Sequence, residues 1–299
     1  FKMTSFDVVS PLDGQVLKTL IETKTSDISL KASKASKAQK DWDSLGLKKR
    51  SQVFYRYHSL LSSHLSELAE LVHQENGKTL AEAKAELEKA LELTEFACSM
   101  PQIMLSESLE VSRGVHCQLT RRPLGVVASI SPLNFPLMIP HWTAPIALMA
   151  GNAMLLKPSE QVPLSALKMA ELLYEAGLPE DLFQVILGAK ETVEALCQEE
   201  LIKAVSFVGS TAVAKQVYRL ATSQYKRALC LGGAKNHLIV LPDADLEMTA
   251  SNVVASMSGM AGQRCMAASV MLAVGESNEL VDRVVEKSKE IVPGKTLGA

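Results

Sequence analysis

Gly125-Val126-Val127-Ala128-Ser129-Ile130-Ser131-Pro132-Leu133-Asn134-Phe135-Pro136 marks the point where the chain changes texture. Its apolar run is too short for an ordinary helix and stops at a turn bracketed by two prolines, the pattern of a strand buried on both faces. Similar runs recur at 153–156, 183–187, 204–208 and 237–241, and amphipathic segments at 164–176 and 212–222 lie between them. Gly177-Leu178-Pro179 closes the first of those helices. This βαβα alternation predicts an α/β fold with a mostly parallel, doubly wound sheet and helices on both faces.

Upstream the chain is helical. Helices are expected over 26–42, with Ser26 as its cap, over 47–74, and over 79–97 beyond Gly77. Lys31, Lys34, Lys37 and Lys40 recur every third residue, which reads as a solvated helix face. Between 107 and 122, Leu109, Val111, Val115 and Leu119 alternate with polar residues around Gly114, predicting a two-stranded antiparallel excursion. A largely apolar helix over 248–260 leads into Ala261-Gly262-Gln263-Arg264-Cys265-Met266-Ala267.

Composition narrows the function. With 299 residues, 47% hydrophobic and 21% charged, the chain is an ordinary globular protein of one or two domains. A net charge of −2 gives no general attraction for nucleic acid or an anionic membrane. Cys98, Cys117, Cys197, Cys230 and Cys265 form no C-x-x-C pair and no metal-ligand spacing, so free thiols in a reducing compartment are expected, and no metal. The first 13 residues do not read as a secretory signal. The long apolar tract 126–156 is broken by Pro132, Asn134, Pro136, Pro140, Pro145 and Asn152, which argues against a lipid-exposed span. A soluble, cytoplasmic protein is the expectation.

Five places offer chemistry, each with a structural alternative. Cys265 adjoins Arg264, whose guanidinium favours a thiolate; the alternative is a buried cysteine in the core. Asn134 lies just past a strand end, where its amide would suit an oxyanion, or it simply forms a turn. Lys157 and Glu160 follow the 153–156 strand, where they would grip ribose hydroxyls and a carboxylate would repel a 2′-phosphate; solvated turn charges are the other reading. Gly209-Ser210-Thr211 opens a helix whose first N–H groups suit a pyrophosphate, although the run is not G-x-G-x-x-G and Ser210 would serve equally as a cap. Gly232-Gly233 permits close approach of backbone to a ligand, or a plain turn. His141, between Pro140 and Trp142, reads as structural.

Taken in order, Asn134, Lys157 and Glu160, Gly209-Ser210, Gly232-Gly233 and Cys265 resemble the aldehyde dehydrogenase superfamily. Gly233-Ala234-Lys235-Asn236-His237 and Gly262-Gln263-Arg264-Cys265-Met266-Ala267 are most similar to its CoA-acylating, methylmalonate-semialdehyde branch. The resemblance runs from Ser10-Pro11-Leu12-Asp13-Gly14 to about residue 275. It implies an NAD-binding domain over 1–106 and 123–233, an oligomerisation hairpin over 107–122, and the first part of an α/β catalytic domain over 234–299. It also implies that Cys265 attacks a small-molecule aldehyde, with Asn134 and the Cys265 N–H holding the oxyanion. Ser131, Pro132, Phe135, Lys157, Glu160, Gly209, Ser210 and Gly232 would surround NAD.

Hydrolytic relatives carry Glu where this chain has Cys230, in a Glu-Leu-Gly-Gly run. Its absence implies thioester transfer to coenzyme A as co-substrate, because a thiol ionises far more readily than water and needs no general base. Arg264 matches one of two arginines that hold a substrate carboxylate in this branch; the other position falls on Lys89, which keeps the charge without the bidentate fork. Methylmalonate or malonate semialdehyde, oxidised with loss of CO2, is therefore the expected substrate. A hydrolytic enzyme for another semialdehyde, or an inactive relative, is the alternative. Family members continue past the position of Ala299 with more of the catalytic domain, so residues 1–299 alone are expected to be unstable or inactive, and the complete protein a homodimer or homotetramer.

Overall fold

The chain divides between Gly232 and Gly233 into two units, and the computed structural model describes residues 5–292 and 294. The first unit begins with β1 (Ser5–Val9) and β2 (Val16–Ile21), then α1 (Ile28–Ser44), α2 (Gly46–Ser63), α3 (Leu65–Asn76) and α4 (Leu80–Ile103). An antiparallel pair follows, β3 (Glu107–Ser112) and β4 (Val115–Leu119). The rest is β5 (Val126–Ile130), α5 (Met138–Met149), β6 (Ala153–Lys157), α6 (Leu164–Glu175), β7 (Phe183–Val185), α7 (Lys190–Gln198), β8 (Ile202–Val208), α8 (Thr211–Ser223) and β9 (Arg227–Leu231).

Five strands form one parallel sheet in the order β7-β6-β5-β8-β9. Every residue of β5 and β6 is buried, which is why both read as unbroken apolar runs. The chain leaves β5 toward β6 and β7, then returns to lay β8 on the other side of β5. That reversal is a topological switch point, and ligands of open α/β sheets bind at the carboxyl ends beside it.

The second unit is smaller. Parallel strands β10 (Asn236–Val240) and β11 (Ala268–Ala273) pair, with α9 (Leu246–Ser258) between them in sequence and α10 (Asn278–Lys289) after them. Its core centres on Val240, Ala250 and Leu280.

Several expectations needed correction. The single helix over 47–74 is two, because Ser62-Ser63-His64 interrupts it; Ser63 Oγ and His64 Nδ1 both bond to the Leu60 carbonyl and compete with the helical ladder. Asp27, not Ser26, stands at the cap position of α1. The β1–β2 hairpin, α7, β9, β11 and α10 lie outside the expected elements. The row of lysines on α1 does face outward, opposite a buried stripe of Ile28, Ala32, Ala35, Gln39 and Trp42.

The proline-broken apolar tract yielded α5, a helix containing Pro145. Its ends are secured by side chains from elsewhere. At the N-terminus, Glu86 on α4 accepts from the backbone N–H groups of Leu137 and Met138 at 2.8 and 2.9 Å. Around the C-terminus, Trp42 Nε1 donates to the Leu148 carbonyl at 2.7 Å, Arg50 Nε to Met149 at 3.0 Å and Gln39 Nε2 to Gly151 at 2.7 Å. Carboxylate at one end and guanidinium at the other also match the helix dipole.

His141 sits inside α5 as a connector. Its Nδ1 faces the Leu137 carbonyl at 2.7 Å and must donate, which leaves Nε2 to accept from Tyr57 Oη at 2.8 Å. Complete burial pushes its pKa down from 6.5 to about 4, against the smaller upward pull of the Leu137 carbonyl. The folded state therefore refuses a proton that the unfolded chain accepts, so this contribution is full above pH 6.5 and is lost as pH falls toward 4. Urea unfolding at pH 7 and pH 4.5 should show the wild type losing up to about 3 kcal/mol more than His141→Gln over that interval.

Candidate active site

Register builds the first part of the site. Ile130 at the end of β5 pairs with Lys157 on one side and Phe207 on the other, so three strand ends finish level. Beyond them opens a groove of about 400 Å³ lined by Ser131, Pro132, Lys157, Glu160 and Gly209, with Val213 and Val217 of α8 among its apolar wall. Five of the residues singled out in the sequence thus meet in one place.

Lys157 is buried, and its Nζ lies 2.9 Å from Glu160 Oε2. Burial works against the Glu160 charge, but a bond from its own backbone N–H and the Lys157 ammonium outweigh it and hold the carboxyl below its usual range. The buried Ser131 Oγ has no hydrogen-bond partner among the described residues. Such a hydroxyl costs ~1–3 kcal/mol unless something bonds to it, and a polar ligand in the groove would do so.

Gly209 has a steric reason. A Cβ there would stand 2.6 Å from the tip of the Phe207 ring, so any larger residue would force that ring to move. Ser210 caps α8, its Oγ accepting from Val213 N at 3.4 Å. The N–H groups of that first turn face the loop after β8 and suit an anion. Gly232 packs against the same turn, where a Cβ would lie 3.2 Å from Thr211 Cα. It borders a separate hollow that also includes Cys230.

Asn134 and Phe135 lie in the loop 131–137 but do not line the groove. Lys78 Nζ donates to the Asn134 carbonyl at 2.9 Å and stands 4.5 Å from the centre of the Phe135 ring. Asn76 Nδ2 donates to the Leu133 carbonyl at 2.8 Å. Lys89 is an exposed residue of α4, its Nζ 2.7 Å from Glu92.

Cys265 and Arg264 belong to the second unit. The approach to Cys265 is a tight turn over Gly259–Gly262 in which Met260 and Ala261 both take left-handed backbone, with φ of 51° and 53°. For residues with a Cβ this costs ~1–2 kcal/mol each, and such strain collects at functional sites. The Arg264 guanidinium lies back over Gly259, where any Cβ would collide with it. Cys265 itself is half-buried. Asn236 Nδ2 donates to the carbonyls of Cys265 and Ala267 at 2.6 and 3.1 Å. Asn236 lies where the β10–β11 register slips, and its side chain bridges the irregularity.

Asn76, Lys78 and Glu86 escaped the sequence reading, and Asn236 stood in the 233–237 motif without an assigned role. Glu86 alone left a signal, a carboxylate on the buried stripe of α4 with Ala83, Leu87 and Ala90.

The first unit is an α/β sheet reversing at β5 with a groove at its carboxyl edge, and the second carries a strained turn just before a cysteine. The aldehyde dehydrogenase family profile matches residues 2–298, and the chain belongs to that family. Malonate-semialdehyde dehydrogenase 1 of Geobacillus kaustophilus (strain HTA426) is 44% identical over 291 residues, 97% of this chain and 60% of that protein. Malonate-semialdehyde dehydrogenase 2 of Geobacillus thermodenitrificans (strain NG80-2) is 42% identical over 292 residues, with the same coverage. A crystal structure of a putative methylmalonate-semialdehyde dehydrogenase from Sinorhizobium meliloti 1021, complexed with NAD, superposes with a TM-score of 0.94 at 39% identity, covering 97% of this chain and 60% of that one. The methylmalonate-semialdehyde dehydrogenase of Oceanimonas doudoroffii gives 0.92 at 40%, covering 96% and 59%. The chain therefore spans about 60% of the length of the curated relatives it matches. No helix among the described residues is long and apolar enough to cross a membrane.

Removing the Asn236 amide takes its donor from the carbonyls of Cys265 and Ala267, the latter keeping Ser269 Oγ at 3.4 Å. Asn236→Ala is expected to cost about 1–3 kcal/mol in denaturant unfolding. Asn236→Asp should cost more, since a carboxylate would face those two carbonyls.

Proposed function

We propose that the chain forms the cofactor-binding part and the nucleophile of an NAD-dependent, CoA-acylating dehydrogenase for malonate or methylmalonate semialdehyde. NAD, when bound, supplies the hydride acceptor. Lys157 and Glu160 would hold its ribose hydroxyls, with Glu160 disfavouring a 2′-phosphate. The start of α8 at Gly209-Ser210 would take the pyrophosphate, and Ser131 Oγ would gain the partner it lacks among the described residues.

The Cys265 thiolate adds to the aldehyde carbon, and the new oxyanion is received by the Asn134 amide and the Cys265 N–H. Loss of hydride from that carbon leaves an acyl thioester on Sγ. With a β-carboxylate the acyl group can then release CO2 and take a proton from water at the carbon that bore it, and the thiolate of coenzyme A attacks the thioester and frees Cys265.

The observation that carries the CoA reading is Cys230. Burial pushes this thiol above its usual range, so it stays protonated and is no general base for water. A thiol acceptor needs no such base, because it ionises without help. The names of the relatives support the substrate class. The exposed hairpin of β3 and β4, with Leu109, Val111, Val115 and Leu119 all in solvent, supports assembly into a homo-oligomer through 107–122.

The deciding assay follows NADH formation from malonate semialdehyde by the complete protein, with the rest of the catalytic domain present. A single burst without CoA and sustained turnover with it is the expected result; equal turnover without CoA overturns the reading in favour of hydrolysis. Glu160→Gln should raise the NAD KM about tenfold, the order of one lost charge-assisted hydrogen bond, while improving use of NADP relative to NAD.

For the substrate carboxylate this reading names Arg264 and Lys89. Lys89 is held by Glu92, so a substrate would have to displace that carboxylate. Lys89→Ala should raise the semialdehyde KM several-fold and Lys89→Arg should not; equal KM values would remove Lys89 from the site.

A further inference from the structure

The loop 131–137 is gripped from outside the sheet by residues on and around α4. Lys78 and Glu86 form an ion pair whose side chains are both fully buried. The Lys78 ammonium also donates to the Asn134 carbonyl at 2.9 Å and sits over the Phe135 ring. Glu86 uses its other oxygen for the N–H groups of Leu137 and Met138. Asn76 holds the Leu133 carbonyl. The backbone is thus fixed immediately before Asn134, at Asn134 itself, and just after it.

We infer that the buried Lys78–Glu86 pair, assisted by Asn76, is a positioning device that pre-sets the Asn134 amide for the oxyanion. A buried ion pair is a costly way to stabilise a fold, since well-packed apolar residues of the same volume generally serve as well or better. Here the pair's contacts converge on one loop, and that loop carries a proposed transition-state donor. Donors of this kind accelerate reactions only if they are already oriented when charge develops. An ammonium on the Asn134 carbonyl also polarises the following peptide, and the stacked Phe135 ring stops the loop from rolling about its axis.

The inference rests on the role of Asn134 proposed above, and the test separates the two. Lys78→Met/Glu86→Gln removes both charges, keeps the volume and keeps an acceptor for the N–H groups of α5. In the complete protein, NAD affinity should stay within about twofold, the semialdehyde KM should change little, and the pre-steady-state NADH burst should slow roughly 10- to 100-fold. These are the effects expected of an orientation loss rather than a binding loss. Combined with Asn134→Ala, the double variant should add almost nothing to the slowing caused by Asn134→Ala alone.

Unchanged burst kinetics, or an effect fully additive with Asn134→Ala, overturns the inference and leaves the pair a structural one. If Asn134→Ala itself leaves the burst intact, the oxyanion reading fails instead. Should the charge-free variant not fold, Asn76→Ala releases only the Leu133 carbonyl and carries the same criterion: a burst slowed at least threefold and non-additive with Asn134→Ala supports the inference, and an unchanged or additive one overturns it.

Discussion

Much of the first unit depends on how helix α5 is held. It lies between the two most buried strands of the sheet in sequence, and it contains a proline, so its own backbone bonds are incomplete. Glu86 supplies the acceptor at its start, while Trp42, Arg50 and Gln39 supply donors around its end. These side chains come from α1, α2 and α4, so the helical layer and the sheet are fastened by polar contacts as well as by apolar packing. Arg50 shows what such burial entails. Desolvation pulls its pKa down against the opposing pull of Asp43, and the backbone carbonyls it bonds offset the penalty.

The same scheme recurs one strand over. Glu75 on α3 accepts from the backbone N–H groups of Leu164 and Ser165 at the start of α6, and from the Ser165 hydroxyl. Burial raises its carboxyl to about 7 despite those donors. Helices α5 and α6 follow β5 and β6, the strands whose carboxyl ends carry Ser131 and Lys157. Loops that must present ligating groups are poorly held by their own contacts. Here their downstream helices are anchored by carboxylates from a neighbouring layer, which fixes both ends of each loop.

Resemblance and geometry meet differently in the two units. In the first, Ser131, Pro132, Lys157, Glu160 and Gly209 stand far apart in sequence, and the level strand ends bring them around one groove. Their residue types were legible because each motif follows an apolar run that ends abruptly. Lys78 was not, because it lies outside any periodic stripe, and Glu86 showed only as a carboxylate among the apolar residues of α4; burial of both is what tells the pair from surface charges. In the second unit the nucleophile was legible from Arg264-Cys265, whereas the left-handed pair Met260 and Ala261 was not. Neither residue type favours that conformation, and the strain exists only because the surrounding turn imposes it.

By itself the sequence determined the alternation of strands and helices, the parallel sheet, the family, and the order of the motifs along the chain. These follow from local hydrophobic period and from turn residues, which act over a few positions. Tertiary structure decided which strand lies beside which, that a proline-rich apolar tract is a helix, and which distant side chains hold the site loops. Those outcomes depend on hydrogen-bond partners about 50 to 110 residues away, such as Glu86 for Leu137 and Gln39 for Gly151. Buried polar groups must be satisfied wherever the fold brings a partner, and no local pattern records where that is.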